Sequence, residues 1–157
     1  MNASPPPPVI EEQSAALAQE AFVPVRRSLF GHVVYCLTHY AAFSGRATRA
    51  EYWSFHLIYA GGIYPMAVLL EREETFAGSD GVLFAAPVLS VFFFLWLLAG
   101  LIPDLAATWR RLHDAGISGG FFFLSLIPGL GGLILFVMTL LDSNPGTNHF
   151  GPPTKYP

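Results

Sequence analysis

Three long stretches without a charged residue dominate the hydrophobic pattern of the chain: residues 53–70, 82–102 and 121–141. About 20 helical residues, each rising about 1.5 Å, cross a hydrocarbon core of about 30 Å. A soluble domain of 157 residues could not bury all three stretches, because too little chain would remain to cover them. The pattern therefore predicts three transmembrane helices, with a kink in the third at Pro128 and Gly129.

A fourth apolar segment, residues 28–43, is shorter and has a helical period. Its apolar residues recur at spacings of three and four, whereas His32, Cys36 and His39 fall on the other side of the helix. Sixteen residues with two histidines are few for a span, so the pattern predicts an interfacial amphipathic helix with a solvated polar face. A further membrane span is the alternative. The apolar positions are Phe30, Val33, Val34, Leu37, Tyr40 and Ala41.

The two ends of the chain differ from its apolar middle. Residues 1–27 contain four consecutive prolines and predict a disordered tail, with at most a short helix between residues 11 and 22. Residues 1–9 lack the basic and apolar segments of a secretory signal, so an internal segment is expected to direct insertion. Residues 28–153 form the predicted membrane domain, and residues 154–157 its C-terminal end. The polar tail can fold back on the bundle through Phe150.

The composition supports the membrane interpretation. Charged residues make up 12% of the chain and hydrophobic residues 53%, whereas a soluble domain is about 25% charged. The single cysteine, Cys36, excludes an intrachain disulfide and a paired-cysteine metal or redox motif. The predicted fold class is therefore all-α: a polytopic helical membrane protein with three transmembrane helices and an N-terminal interfacial helix.

The basic residues are distributed unevenly about the predicted spans. Six of the eight lie before the first span or between the second and the third, and two lie on the alternate side. The positive-inside rule then places the N-terminus and residues 103–120 in the cytoplasm. It places the acidic loop 71–81 and the C-terminus outside. The six are Arg26, Arg27, Arg46, Arg49, Arg110 and Arg111, and the two are Arg72 and Lys155.

The segment that enters the first span, residues 44–53, carries its own charged pattern. If Ser44 is the N-cap of a helix, Arg46, Arg49 and Trp53 share one face, and Glu51 points away from it. Two interpretations stay open. The arginines could form an interface anchor with the aromatic Tyr52 and Trp53. Alternatively, they could form a specific site for an anion or a lipid headgroup together with Arg110 and Arg111.

Residues 103–120 form a polar segment between the second and third apolar stretches. The second helix is predicted to continue into this segment and to end with Gly116 as its C-cap. A carboxylate near the membrane edge is costly unless it is paired, so the acids here, Asp104 among them, predict cross-helix ion pairs. The first expected pair joins Glu51 to one of the two adjacent arginines, Arg110 or Arg111.

No catalytic motif accompanies these polar residues. His113 and Asp114 are adjacent, and adjacent helical side chains diverge by about 100°, so the two do not form a ready-made dyad. The sequence has no zinc-protease, nucleophile-elbow or phosphate-loop motif. No catalytic residue, metal ligand or cofactor site is therefore expected. The candidate interface or binding cluster consists of Arg46, Arg49, Glu51, Trp53, Arg110, Arg111, His113 and Asp114.

Four ordered motifs carry a family resemblance. They are F-S-G-R-A-T-R-A-E-Y-W at 43–53, R-R-L-H-D-A-G-I-S-G-G at 110–120, P-G-L-G-G at 128–132 and G-T-N-H-F-G-P-P at 146–153. Together they resemble the domain of unknown function 805 family, the YhaH-like small bacterial inner-membrane proteins. The resemblance implies a multi-pass protein of the bacterial inner (plasma) membrane and implies no activity. The Pro-rich leader and the short acidic loop after the first span depart from the family pattern.

Three functions follow as hypotheses. The first is a non-enzymatic membrane module whose cytoplasmic Arg/His/Asp cluster binds lipid headgroups, an anion or a partner protein. The second is a small transporter or channel subunit, which the near absence of ionisable residues in the spans argues against. The third is an enzyme acting on lipids through His113 and Asp114. Membrane lipids, a homo-oligomer or another membrane protein are the expected partners, and nucleic acid is not.

Overall fold

The computed structural model describes residue 13 and residues 27–76 and 85–155. The regular elements formed by these described residues are all helices, with no β-strand among them, as the sequence predicts. Apart from residue 13, the predicted tail before residue 27 and its short helix over residues 11–22 lie outside the described residues. Residues 77–84, in the predicted acidic loop, also lie outside them.

Two long helices form the frame of the described residues. The elements in order are α1 (Leu29–Thr38), α2 (Arg49–Phe76), α3 (Ala85–Asp114), a 3-10 helix (Gly119–Leu126) and α4 (Leu130–Leu140). Helices α2 and α3 contain stretches long and apolar enough to cross a membrane, Arg49–Arg72 and Pro87–Asp114. These two stretches correspond to the first two predicted spans and extend them by polar turns. Pro65 and Pro103 lie inside the helices without ending them.

Helix α1 packs against the rest of the protein with the face that the sequence predicts to be solvated. Ser28 caps it, its Oγ accepting a hydrogen bond from the Gly31 N–H at 3.1 Å. The predicted solvated polar face is wrong for His32 and Cys36, which are 7% and 0% exposed. The apolar Phe30 is instead 75% exposed. This inversion suits a protein surrounded by hydrocarbon, since polar groups then turn toward neighbouring helices and apolar groups turn outward.

Close contacts between an aromatic residue and a glycine hold α2 against α3. The ring of Tyr59 on α2 occupies the space that a side chain at Gly100 on α3 would need. The Tyr59 hydroxyl donates to the Leu97 carbonyl at 3.0 Å, and Trp96 Nε1 donates to the Tyr59 carbonyl at 3.2 Å. A small residue thus lets the two helices approach, as is common between membrane helices.

Helix α2 begins later than predicted. Its first residue is Arg49, and the Thr48 hydroxyl accepts a hydrogen bond from the Glu51 N–H at 3.2 Å. The assignment of Ser44 as N-cap is therefore wrong, and Thr48 has that role. Gly45, with φ of +88°, turns the chain four residues before the helix. The end of α3 follows the prediction, since Gly116 has φ of +77° and its N–H donates to the His113 carbonyl at 3.0 Å.

The third apolar stretch is a hairpin and not the predicted transmembrane helix. The 3-10 helix and α4 are each about 16 Å long, and neither crosses a core of about 30 Å. Pro128 and Gly129 break the helical path, and Gly129 has φ of +78°. The two arms pack so closely that a side chain at Gly131 would overlap the Leu124 carbonyl. Pro128 and Gly129 therefore reverse the chain instead of kinking one helix.

Both ends of this hairpin lie beside the end of α3. Gly119 packs against the Trp109 ring, and the Asn144 N–H donates to the Asp114 carbonyl at 2.7 Å. The predicted placement of the C-terminus on the side opposite to residues 103–120 is therefore wrong, because hydrogen-bonded residues share one side of a membrane. The error follows from counting the third apolar stretch as a full span.

Candidate functional site

The carboxylate of Asp114 is the centre of a polar cluster at this end of the bundle. Asp114 is the last residue of α3, and its side chain is 0% exposed. Its Oδ1 lies 2.9 Å from Arg46 Nε, and its Oδ2 lies 2.7 Å from Arg111 Nη1. The hydroxyls of Ser143 and Thr154 donate to the same carboxylate at 2.5 Å and 2.6 Å. We refer to these five residues as the clasp, because they join four distant parts of the chain.

Arg46 reaches the clasp from the segment before α2. The predicted basic face that Arg46 shares with Arg49 is wrong, because residues 45–48 are not helical. The Arg46 guanidinium also donates to the carbonyl oxygens of Asn144 and Gly146, at 2.5 Å and 2.7 Å. Arg46 therefore connects the chain before α2 to the C-terminal tail.

Arg111 connects α3 to the end of α4. Its side chain is 0% exposed, its Nε donates to the Thr139 carbonyl at 3.0 Å, and its Nη2 donates to the Leu141 carbonyl. The last carbonyl groups of a helix have no partner within the helix. Arg111 therefore donates hydrogen bonds to carbonyl groups at the end of α4 and, at the same time, neutralises the charge of Asp114.

The expected ion pair between Glu51 and an arginine is present. Arg110 Nη1 lies 2.6 Å from Glu51 Oε1, and the two side chains are 3% and 6% exposed. The pair joins the first turn of α2 to the last turns of α3, as the sequence predicts. A buried ion pair of this kind is costly to break, because removal of one partner leaves the other charged and unpaired.

Arg110 has more donors than the ion pair uses. Its Nε and Nη2 are buried and have no hydrogen-bond partner among the described residues. Its guanidinium carbon lies 5.5 Å from the centre of the Tyr35 ring. The neighbouring Cys36 is fully buried, and this burial, followed by the charge of Glu51, raises the pKa of its thiol to about 11. Cys36 is therefore a protonated packing residue at neutral pH.

His113 and Asp114 do not act on each other. The His113 Nδ1 lies 3.1 Å from the Gly45 carbonyl, and the imidazole stacks on the Phe150 ring at 3.8 Å between centroids. The Asn148 side chain donates to the His113 carbonyl at 2.9 Å. The predicted return of the C-terminal tail through Phe150 is therefore present, and His113 is the surface on which the tail packs.

Two further members of the predicted cluster, Arg49 and Trp53, have partners outside the clasp. Arg49 Nη2 pairs with Asp142 Oδ1 at 2.6 Å, and their side chains are 41% and 51% exposed. The Asp142 carboxylate also accepts from the Ser143 N–H, and this bond, with Lys155 and Arg49, lowers its pKa to about 2. Trp53 packs edge-on against Phe136 of α4, 5.7 Å between centroids. The arginine is thus a surface residue, and the tryptophan packs against the hairpin.

Asp104 finds its partner inside the helical bundle. Because α3 continues through Pro103, Asp104 lies on a membrane-length helix and not in a loop. Its Oδ1 lies 2.9 Å from His56 Nδ1 on α2, and Tyr52 stacks on the His56 ring. The sequence predicts that Asp104 is paired, but not with His56. The pair places two ionisable groups within the helices, where the sequence predicts almost none.

A polar cavity of about 270 Å³ lies beside the clasp. Its walls come from α1, from the chain around the start of α2 and from the C-terminal tail. The C-terminal residues 152–154 line it, so the tail held by Asp114 forms one wall. The other lining residues are Arg27, His32, Tyr35, Gly45, Arg46, Thr48 and Glu51.

Sequence reasoning missed the contribution of the C-terminal tail. Ser143, Thr154 and the backbone carbonyls of residues 139–146 supply much of the clasp, and none of them was a predicted site residue. The available signal was the run of polar residues that follows α4 and precedes the G-T-N-H-F-G-P-P motif. Within residues 27–76 and 85–155, no three His, Cys, Asp or Glu side chains lie close enough to hold a metal ion.

Comparisons with known proteins agree with the membrane-length helices. The model of the family described as "Protein of unknown function (DUF805)" matches residues 40–152. The inner membrane protein YhaI of Escherichia coli K12 is 38% identical over 122 residues, covering 76% of this chain and 92% of YhaI. The inner membrane protein YhaH of the same organism is 35% identical over 124 residues, with the same coverage. No solved structure matches the chain.

Proposed function

The chain belongs to the DUF805 family and is similar to the inner membrane proteins YhaI and YhaH, and we propose that it is a non-enzymatic membrane module that binds lipid headgroups. Its binding site is the polar cavity, and the clasp is the structural support of that cavity. One observation carries the proposal. The cavity lies beside Thr48, where a membrane-length helix begins, and it is lined by Arg27, a cation with no carboxylate of the described residues within 4 Å.

The proposed membrane topology has two spans and a re-entrant hairpin. Helices α2 and α3 cross the membrane, and the hairpin of residues 119–141 enters it and returns. The N-terminal segment, residues 110–118 and the C-terminal tail then share the cytoplasmic side. Seven of the eight basic residues lie on that side, and Arg72 lies on the other. This distribution fits the positive-inside rule better than a topology with three spans does.

The hairpin suits a partial entry into the membrane. Its tip is apolar, with Leu126 74% exposed and Ile127 52% exposed. Non-helical backbone at membrane depth requires partners within the protein. The Ile127 N–H donates to the Leu124 carbonyl at 2.9 Å, and the Gly131 N–H donates to the Ile127 carbonyl at 3.1 Å. The turn therefore satisfies part of its own backbone.

The arginines of the clasp support a structural role. Arg46 and Arg111 share the charge of Asp114 and donate to backbone carbonyls, and Arg110 pairs with Glu51. Because the donors of Arg46 and Arg111 are engaged in this way, these two guanidinium groups have little capacity left for an added anion. A non-enzymatic role accords with the acids as well, since Glu51, Asp104 and Asp114 each contact an arginine or a histidine.

The experiment that tests headgroup binding is a lipid-retention measurement on the purified full chain. The protein is extracted in a mild detergent, exchanged into nanodiscs of defined lipid composition and analysed for bound lipid by native mass spectrometry. We expect the wild type to retain phospholipid and Arg27→Gln to lose most of it. Arg72→Gln, which removes an exposed arginine at the other end of α2, is the matched control and is expected to retain lipid. Equal retention by both variants would contradict the proposal.

A transporter or channel subunit is the second candidate, and the pair of His56 and Asp104 favours it. Ionisable groups inside membrane helices often mark ion or proton pathways. The pair lies 2.9 Å apart on the two membrane-length helices. Proton flux in reconstituted liposomes, compared between the wild type and Asp104→Asn, tests this candidate. A flux that depends on Asp104 would favour transport, and no flux above that of empty liposomes would exclude it.

A further inference from the structure

We propose that the ligand of the polar cavity is zwitterionic and carries a primary ammonium beside its phosphate, as a phosphoethanolamine headgroup does. This inference rests on the proposed function and adds the chemical class of the headgroup. Its basis is that the cavity offers charges of both signs, a guanidinium from Arg27 and a carboxylate from Glu51. A purely anionic group would pair with Arg27 and would leave the second carboxylate oxygen of Glu51 without a donor.

The phosphate side of the cavity is provided by Arg27. Its guanidinium carbon lies 3.8 Å above the Tyr35 ring, which orients the fork of donors. Burial, and then the nearby Arg27, lower the pKa of His32, so this histidine is neutral at physiological pH. Arg46 also lines the cavity, but its donors already serve Asp114 and two carbonyls. Arg27 is therefore the cation available to a phosphate, and Arg pairs with phosphate through two parallel hydrogen bonds.

The ammonium side of the cavity is provided by Glu51. Its Oε1 accepts a hydrogen bond from Arg110 at 2.6 Å. Its Oε2 accepts no hydrogen bond from the described residues, and Glu51 lines the cavity. A primary ammonium has three donors and can meet this oxygen, whereas a trimethylammonium has none. Glu51 therefore favours an ethanolamine group over a choline group as well as over an uncharged one.

The size and position of the cavity fit a headgroup and exclude an entire lipid. Its volume, about 270 Å³, is just below the range of about 300–1,000 Å³ typical of small-molecule sites. It adjoins Thr48, directly before the membrane-length stretch that begins at Arg49. This is the level at which lipid headgroups lie. Pro152 and Pro153 cover one side, so the acyl chains remain outside the cavity.

The test compares lipids that differ in the headgroup alone. Native mass spectrometry of the full chain measures retention of phosphatidylethanolamine, phosphatidylglycerol and phosphatidylcholine with identical acyl chains. We expect phosphatidylethanolamine to be retained about tenfold more than the other two, since a hydrogen bond to a charged group contributes about this factor. Soluble glycerophosphoethanolamine, added as a competitor, distinguishes a site for the free headgroup from a site that also needs the lipid.

The variant that isolates the role of Glu51 is the double substitution Glu51→Gln with Arg110→Gln. It removes both charges of the ion pair together, so neither is left buried and unpaired. We expect this variant to retain lipid through Arg27 but to lose the preference for phosphatidylethanolamine. Should the double variant fail to fold, the lipid comparison on the wild type still decides the question.

The outcomes separate this inference from the proposed function. Retention of phosphatidylglycerol equal to or above that of phosphatidylethanolamine overturns the zwitterionic ligand and leaves headgroup binding intact. Equal retention of phosphatidylcholine and phosphatidylethanolamine overturns the role of the ammonium donors. No retention of any lipid by the wild type overturns the proposed function itself.

Discussion

Arg46 Nε and Asp114 Oδ1 lie 2.9 Å apart, although the two residues are 68 positions apart in the chain. Arg46 precedes the first membrane-length helix, and Asp114 ends the second. The contact therefore closes the cytoplasmic end of the helix pair proposed above. Because Ser143 and Thr154 donate to the same carboxylate, the contact also holds the C-terminal tail in place.

Removal of the Asp114 charge should destabilise the protein strongly. We expect Asp114→Asn to lower the free energy of unfolding by about 3–5 kcal/mol, because Arg46 and Arg111 would remain buried without a counter-charge. Thermal unfolding in detergent, followed by circular dichroism, measures the effect. Glu71→Gln, which removes an exposed carboxylate on α2 that has no ion-pair partner among the described residues, is the control and should leave Tm nearly unchanged. Similar shifts for the two variants would show that the clasp is not a stabilising centre.

The Glu51 and Arg110 pair should show strong coupling. We expect Glu51→Gln and Arg110→Gln each to destabilise the protein, because each leaves one buried charge unpaired. The double variant should cost less than the sum of the two by about 1–3 kcal/mol. A double-mutant cycle of unfolding free energies provides the measurement. Additive effects would mean that the 2.6 Å contact does not contribute as an ion pair.

Two adjacent glycines in the hairpin should respond differently to the same substitution. Gly131→Ala is expected to destabilise the protein, because a side chain there would overlap the backbone at Leu124. Gly132 has nothing within 4 Å of the corresponding position, so Gly132→Ala should be neutral or stabilise α4 by up to about 1 kcal/mol. Tm values of the two variants decide the matter. If both variants unfold alike, the tight packing of the hairpin arms is not present.

Cysteine labelling can test the two-span topology. In a Cys36→Ala background, a membrane-impermeant maleimide added from the cytoplasmic side should label Thr147→Cys in inverted vesicles. Added from the other side, it should label Arg72→Cys in spheroplasts. Leu126→Cys, at the hairpin tip, should react from neither side because the tip lies in hydrocarbon. Labelling of position 147 from the outside would restore a third full span.

The Cys36 thiol should be unreactive and should change its reactivity at high pH. At pH 8 an ordinary thiol of pKa 9.0 is about one-tenth ionised, whereas a thiol of pKa about 11 is about one-thousandth ionised. The native protein should therefore react with maleimide at least about a hundredfold more slowly than the unfolded chain. The raised pKa also makes the stability of the fold depend on pH. Above pH 9 the thiol ionises in the unfolded chain but not in the folded protein, so the free energy of unfolding falls as the pH rises toward 11. Rapid native-state labelling at pH 8 would contradict both statements.

The sequence by itself determined the membrane class, the two long helices and the pairing of Glu51 with one of the two adjacent arginines, Arg110 or Arg111. Runs of about 20 apolar residues suffice to predict the membrane class, because the thickness of the bilayer fixes the length of a span. The helical period suffices for the extension of α3 to Asp114, and Gly116 marks its end. The family followed from four ordered motifs, and the comparisons confirm it.

The tertiary structure alone decided the orientation of α1, the hairpin and the composition of the clasp. A helical period shows that α1 has two faces but not which face meets protein, and in hydrocarbon the usual assignment is reversed. The length of residues 121–141 permits a span, yet the contact between Gly131 and Leu124 shows that this stretch reverses direction. The clasp depends on contacts across 29 to 68 positions, made by Ser143 and Arg46 to Asp114. Periodicity describes neighbours within one helix and carries no information on such contacts, which the packing of separate segments creates.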